Sequence, residues 1–203
     1  MIFSISKFSS TQDINPSREE MAWADFVTLF SEPVVALCTL ANCQLSSCAH
    51  KRGPAWSPGM YVNDVGRKEN VTAISLLVFD VEHATDAQIH EIRGRIDGYR
   101  HLIHATHSDR PNNRCLRIII TLSRPVPREL WGAFWTYMRQ MIVPIANTTC
   151  SDTGRIYFLP RVQRDAGYFI QVNEGTPLDV DAALVIATAA HHARPVAEGG
   201  VAP

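Results

Sequence analysis

Two carboxylates two residues apart, Asp80 and Glu82, end a mostly apolar run, Ala73-Ile-Ser-Leu-Leu-Val-Phe-Asp-Val-Glu82. Such a run has the composition of a central β-strand. Side chains alternate along a strand, so both acids share one face while Phe79 and Val81 take the other. Their Cα atoms then lie about 6–7 Å apart. Carboxylates at that spacing can bridge two divalent cations separated by about 3.5–4 Å, the arrangement phosphoryl transfer uses. Mg²⁺ or Mn²⁺ is the cofactor this chemistry predicts. Acids beside so many apolar residues are costly unless a cation or a donor network neutralises them. The competing reading is a solvated strand end that the acids merely terminate. A third acid is needed to complete the site. Asp152, just ahead of the run 154–160, is the choice, because a neighbouring strand would bring it beside Asp80. An ordinary turn role within Ser151-Asp-Thr-Gly154 is its alternative.

Cations surround these acids along the chain. From Arg93 to Arg164 there are twelve Arg, no Lys and four acids, although the whole chain has a net charge of −1. A basic middle in a near-neutral protein points to a local anionic partner. Arg rather than Lys suits bidentate phosphate contacts, although an Arg-rich composition in general would look the same. His107 and Ser108 close one candidate strand, and Arg117 lies on the next; with Arg155 they are the candidates for holding a nucleotide's phosphates. Arg117 is the leading one, unless it packs on the outer face against an acid such as Asp97 or Glu129. Arg114 and Arg161 are the candidates for contacting a nucleic-acid backbone. Removing Asp80 or Glu82 is expected to leave thermal stability unchanged or higher, since unliganded acids repel.

The elements that must position these residues follow from periodicity and turn chemistry. Ile2–Ser6 alternates like a strand. Ser17-Arg-Glu-Glu20 reads as a capping box that starts a helix through Met21, Ala24, Val27 and Phe30. Val34–Leu40 reads as a strand, and residues 41–67, rich in Ser, Gly, Pro and Cys, as an irregular excursion. After the acidic strand, Thr85-Asp-Ala-Gln88 caps a helix whose apolar face carries Ile89, Ile92, Ile96 and Tyr99. Strands are expected at His101–His107 and Cys115–Leu122, with a turn over Asp109–Asn113. Pro127 then opens a helix carrying Leu130, Phe134, Met138 and Met141. Further strands are expected at Gly154–Pro160 and Tyr168–Val172, and a helix over Asp179–Ala190. The Ala/Gly/Pro tail reads as disordered. From Ala73 to Leu159 the order is strand, helix, strand, strand, helix, strand, the connectivity of an RRM-like split βαβ sheet. The expected class is α/β (α+β). Residues 1–69 form an N-terminal α/β module, 70–180 the RRM-like core with the active site, and 181–203 a helix and tail.

These segments together resemble the archaeo-eukaryotic primase superfamily, in particular its plasmid- and phage-type primase-polymerases. Leu-Leu-Val-Phe-Asp80-Val-Glu82 is similar to the family's hydrophobic-Asp-x-Asp/Glu metal motif. Thr106-His107-Ser108, Asn113-Arg-Cys-Leu-Arg117-Ile-Ile-Ile-Thr-Leu-Ser-Arg-Pro125 and Asp152-Thr-Gly-Arg155-Ile-Tyr-Phe-Leu-Pro160 carry the rest. The family's nucleotide-binding motif is a small residue, any residue, then His. No Ser-x-His occurs here, so either His107 serves or Arg117 takes that place. The resemblance implies a template-dependent nucleotidyltransferase with metals on Asp80, Glu82 and Asp152. Its implied partners are a single-stranded DNA template, a primer, nucleoside triphosphates and a replicative helicase.

Composition bounds these readings. Hydrophobic content of 46% and charged content of 19% are those of an ordinary globular chain. No apolar run reaches the roughly 18 residues of a membrane span, and no secretory pattern opens the chain, which makes a cytoplasmic location the default. An odd count of five Cys argues against a disulfide framework. Cys38, Cys43, Cys48 and His50 could form a Cys3His zinc site, but their intervals exceed those of a zinc knuckle, so buried or idle thiols are the preferred reading. A rolling-circle nickase would need His-x-His, which the chain lacks. A non-catalytic RRM-like nucleic-acid-binding module would need outward aromatics on the central strands.

Overall fold

The computed structural model describes residues 2–44 and 47–192. The strands are β1 (Ile2–Phe8), β2 (Ser17–Ala22), β3 (Val34–Ala36), β4 (Ala55–Ser57), β5 (Gly59–Tyr61), β6 (Val71–Ala84), β7 (Arg100–Ala105), β8 (Arg114–Pro127), β9 (Tyr157–Phe158), β10 (Arg161–Gln163) and β11 (Ile170–Glu174). The helices are α1 (Trp23–Ser31), α2 (Asp86–Ile96), α3 (Arg128–Ile142) and α4 (Val180–His192). An antiparallel five-stranded sheet in the order β11-β7-β8-β6-β5 carries the acids. A second antiparallel sheet runs β2-β1-β4-β9, and β3 and β10 form a small parallel pair. The class is therefore mixed α+β. No helix among the described residues is long and apolar enough to cross a membrane.

The split βαβ unit is realised in three strands. β6 and β7, joined by α2, both lie antiparallel to β8 between them. Thr85 caps α2 as expected: its hydroxyl accepts from the Gln88 N–H while the Gln88 side chain accepts from the Thr85 N–H. The fourth strand differs from expectation. The run 154–160 does not join this sheet; β9 pairs with β4, and Pro160, which has no N–H to donate, stands between β9 and β10. β5 takes the edge beside β6, and β11 takes the opposite edge beside β7.

Three other local expectations yield to long-range pairing. Ser17–Ala22 is a strand, not a helix start, because it zips onto β1 from Lys7↔Ser17 to Ile2↔Ala22. Its apparent capping residues make cross-strand contacts, Glu19 with Lys7 at 2.7 Å and Glu20 with Ser4. The helix begins at Trp23 without a side-chain cap. The 41–67 excursion contains β4 and β5, each three residues long and too short to show alternation. Val34–Leu40 shortens to β3, beyond which Leu37 is 75% exposed. The expected strand at 168–172 shifts slightly to β11, and α4 covers the expected last helix with Asp179 capping its first turn. The tail beyond residue 192 lies outside the described residues.

Two layers of side chains sandwich the five-stranded sheet. On one face Phe79 packs at a tilt against Trp135 of α3, whose buried stripe is Trp131, Phe134, Trp135, Met138 and Ile142. Met141, expected in that stripe, is exposed. The opposite face meets an aromatic cluster in which Phe30 contacts His104 and Trp56, and Trp56 contacts Tyr157. Side chains from both sheets belong to one continuous core.

Candidate active site

A cavity of about 190 Å³ opens where this second face meets the segment 155–161. Asp80, Glu82, His107, Ser108, Arg117, Arg155 and Arg161 all line it. Seven of the nine residues singled out from sequence therefore converge, although they come from three strands and two turns. Lys51, His104, Thr106 and Tyr157 also line it.

Strand register fixes its floor. Asp80 stands directly opposite Arg117 across β6 and β8, and His104 stands opposite Arg117 across β7 and β8. Arg117 grips Asp80 through two contacts, Nε to Oδ1 at 2.7 Å and Nη2 to Oδ2 at 3.2 Å. Its Nη1 donates to the Phe158 carbonyl at 3.2 Å, and its guanidinium lies 4.4 Å from the Tyr157 ring centroid. Both side chains of the pair are 11% exposed. Burial disfavours the Arg117 charge, but the adjacent Asp80 outweighs it and raises the guanidinium above its ordinary pKa. Arg117 thus faces the cavity and pairs with Asp80, and the alternative of an outward Arg117 paired with Asp97 or Glu129 does not hold.

His104 is the buried neighbour that sequence reasoning overlooked; its one local signal is an imidazole inside the apolar strand 101–105. Burial, then the Arg117 charge, lowers its pKa to about 3. Its Nδ1–H donates to the Ala105 carbonyl at 2.9 Å, which leaves Nε2 as a buried acceptor without a hydrogen-bond partner. Burial also pushes the Tyr157 hydroxyl well above its ordinary value, so it stays protonated.

Glu82 occupies the exposed edge of the site. β6 carries one extra residue there relative to β8, a bulge between Val81 and Ala84. His83 adopts φ 58°, a left-handed conformation uncommon outside Gly, and its Nδ1 meets Asn113 Oδ1 at 2.9 Å. Bulges of this kind re-aim side chains next to active sites. Here the bulge leaves Glu82 on the cavity that Asp80 lines.

Asp152 is not brought to this cavity. It ends the 3-10 turn Thr148–Ser151, lines a neighbouring depression and pairs with Lys68 at 2.9 Å. The residue that reaches the acids from that turn is Asn147. Its N–H donates to the Asp80 carbonyl at 2.8 Å, and its Nδ2 lies 3.5 Å from Glu82 Oε2. Thr149 donates to Asn147 Oδ1, which fixes the amide so that its donor end faces Glu82. Arg114 is also outside the cavity: Asp109 holds its Nε at 3.0 Å, and it lies over the Phe169 ring. Its charge is committed to the fold, which argues against a backbone-binding role.

His107 lines the cavity, but both ring nitrogens point elsewhere. Nδ1 faces the Arg161 carbonyl at 3.3 Å, and Nε2 faces Cys43 Sγ at 3.4 Å and Cys38 Sγ at 3.6 Å. Among the described residues, Arg155 and Arg161 make no ion pair with an acid, and Arg155 Nε has no hydrogen-bond partner. They remain as cationic rim.

A divalent cation can be tested against these donors. Asp80 and Glu82 offer hard carboxylate oxygens, the kind Mg²⁺ and Mn²⁺ take. The Arg117 fork uses one lone pair on each Asp80 oxygen and leaves the second pair available. The pair therefore fits such an ion, with Asn147 rather than Asp152 beside it.

The sequence matches, over residues 1–188, the family described as the VapE N-terminal domain. No curated protein sequence matches it significantly. Among solved structures, the AEP domain of the primase-polymerase from cyanophage S-2L is similar, with 9% identity and a TM-score of 0.49. That alignment covers 91% of this chain and 88% of the other.

Proposed function

Because this chain belongs to the family of VapE N-terminal domains, we propose that it is a primase-polymerase domain acting in replication, binding nucleoside triphosphates and single-stranded DNA at the Asp80–Glu82 cavity. The observation that carries this reading is the convergence of two carboxylates and an Arg-rich rim on one cavity. A single acid on a strand is commonplace; two acids facing Arg155, Arg161 and Lys51 are an arrangement for metal-bound phosphates.

Asp80 and Glu82 would hold Mg²⁺ or Mn²⁺, which supplies a lowered hydroxyl pKa and charge neutralisation at a reacting phosphate. Arg117 orients the Asp80 carboxylate through the two contacts of its fork. Arg155 and Arg161 would receive the outer phosphates and the template backbone. At about 190 Å³ the cavity is smaller than the roughly 300–1,000 Å³ that encloses a whole drug-sized ligand. It therefore suits the phosphate end of a nucleotide, leaving the base outside to meet a template.

One observation favours a second reading, a domain that binds nucleotide without catalysing transfer. Asp80 is already neutralised by Arg117, and the third acid of the resemblance stands in another depression. Primer extension with labelled nucleotides, template and Mg²⁺ or Mn²⁺ separates the two. Incorporation that disappears in Glu82→Gln supports the enzyme. Metal-dependent nucleotide binding without incorporation supports the binding module, and neither would refute both.

A further inference from the structure

Beside the acidic cavity, on the far side of His107, the strongest chemical grouping among the described residues is Cys38, Cys43, Cys48 and His107, whose ligand atoms all lie within 4.8 Å of one another. We propose that these four side chains bind one zinc ion as a Cys3His site that ties the loop between β3 and β4 to the rim of the cavity.

The distances are those of a tetrahedron. With Zn–S near 2.3 Å and Zn–N near 2.0–2.1 Å, tetrahedral angles put two sulfurs about 3.8 Å apart and a sulfur and nitrogen about 3.6 Å apart. Cys38 and Cys48 Sγ are 3.8 Å apart, and His107 Nε2 is 3.6 Å from Cys38 Sγ and 3.4 Å from Cys43 Sγ. Thiols packed only for hydrophobic contact have no reason to converge on one imidazole nitrogen.

The surroundings suit a ligated histidine. A metal-binding imidazole usually donates its other N–H to a carbonyl or carboxylate, which fixes tautomer and ring orientation. His107 Nδ1 faces the Arg161 carbonyl, so Nε2 is the bare nitrogen among the sulfurs. Gln163 adds a polar outer contact, donating from Nε2 to Cys43 Sγ at 3.5 Å and to the His107 carbonyl.

The loop also needs such a tie. The buried cluster it forms consists of Ala36, Cys38 and Cys48 with Cys43 packed against them, apart from the main core. Among the described residues no large apolar side chain belongs to this cluster, and Leu37 is exposed. A bound zinc would do what a core does elsewhere. It would also set the position of Arg161, which starts β10 and whose carbonyl holds His107. His50, the histidine nearest in sequence, is exposed and contributes its backbone carbonyl to Arg161 rather than its ring to the cluster. The site does not depend on the polymerase reading, because its test measures metal and not nucleotide chemistry.

The full chain, purified under reducing conditions and reconstituted with zinc alone, should contain one zinc per chain by mass spectrometry of the metal. Cobalt(II) in its place should show the intense absorption of a tetrahedral thiolate site. Cys43→Ser and Cys48→Ser should lose zinc to a chelator that the unsubstituted protein resists. Gln163→Ala should weaken zinc about 10–100-fold, as loss of an outer partner does. His50→Ala should retain it. Should His107→Ala fail to fold, His107→Cys keeps four ligands, and its cobalt spectrum should shift to that of four thiolates. Absence of stoichiometric zinc after reconstitution would overturn the proposal. So would an unchanged cobalt spectrum in His107→Cys, loss of metal in His50→Ala, or a Cys38–Cys48 disulfide in freshly reduced and desalted protein.

Discussion

Replacing Arg117 by Met tests the centre of the site. The substitution keeps an unbranched apolar stem but removes the fork, leaving the Asp80 carboxylate 11% exposed beneath β9 with no counter-charge. Removing one partner of a buried ion pair costs about 3–5 kcal/mol, mainly through the uncompensated charge left behind. Loss of the Nη1 bond to the Phe158 carbonyl and of the contact with the Tyr157 ring pushes the cost towards the upper end. Asp80→Leu alone should be costly for the same reason, since it strands the guanidinium. The double variant should regain most of the loss, because an apolar pair of similar volume is often neutral in such a place. Urea unfolding at pH 7.5 of the four proteins gives the coupling energy, expected at about 2 kcal/mol or more. Single substitutions each costing under about 1 kcal/mol, and adding without coupling, would refute the buried pair. Should Arg117 instead reach a triphosphate, its loss would leave stability nearly intact. Nucleotide affinity would then fall about 10–150-fold.

The remaining predictions rest on neighbouring residues. Glu82→Gln should leave the thermal midpoint unchanged, because Glu82 is exposed, while Asp80→Ala should lower it; a calorimetric scan of Asp80→Ala decides, since the repulsion expected from sequence would leave its midpoint unchanged or higher. His104 stays neutral when folded down to about pH 3, whereas an unfolded imidazole protonates near 6.5. The unfolded state therefore binds more protons between those values, and stability falls as pH drops through that window by about 1.4 kcal/mol per unit, with no slope from this group above it. His104→Phe should flatten the fall between pH 7 and pH 5 by about 2 kcal/mol in denaturant melts; part of the slope remains, because burial lowers His101 and His107 as well. Affinity for single-stranded DNA should weaken with salt, and Arg155→Ala and Arg161→Ala should each reduce that slope by about 0.7. Arg114→Ala should leave the slope alone and lower stability, since Asp109 already holds that charge; equal slope changes at all three positions would show the reverse.

Sequence alone determined what depends on neighbours along the chain. A continuous apolar run placed Asp80 and Glu82 on a buried strand, side-chain alternation put both on one face, and the Thr85-x-x-Gln88 pair fixed the start of α2. Both are local, and one turn or one pleat is enough to encode them. Cys38, Cys43 and Cys48 are also close together along the sequence, although Cys38 is expected in a strand rather than in their loop. What only the tertiary structure decided is which distant residue each of these meets. Strand register set Arg117, not a metal alone, against Asp80, and long-range pairing made 17–22 a strand despite its helix-start signature. The course of the chain after α3 sent Asn147 to the acids and Asp152 to Lys68. Chain reversal between β7 and β8 put His107, 59 positions from Cys48, on the cysteine cluster in place of nearby His50. Periodicity reports which face a side chain takes; it carries no information about the partner strand's register or where a loop closes, and those two placements set the chemistry of both sites.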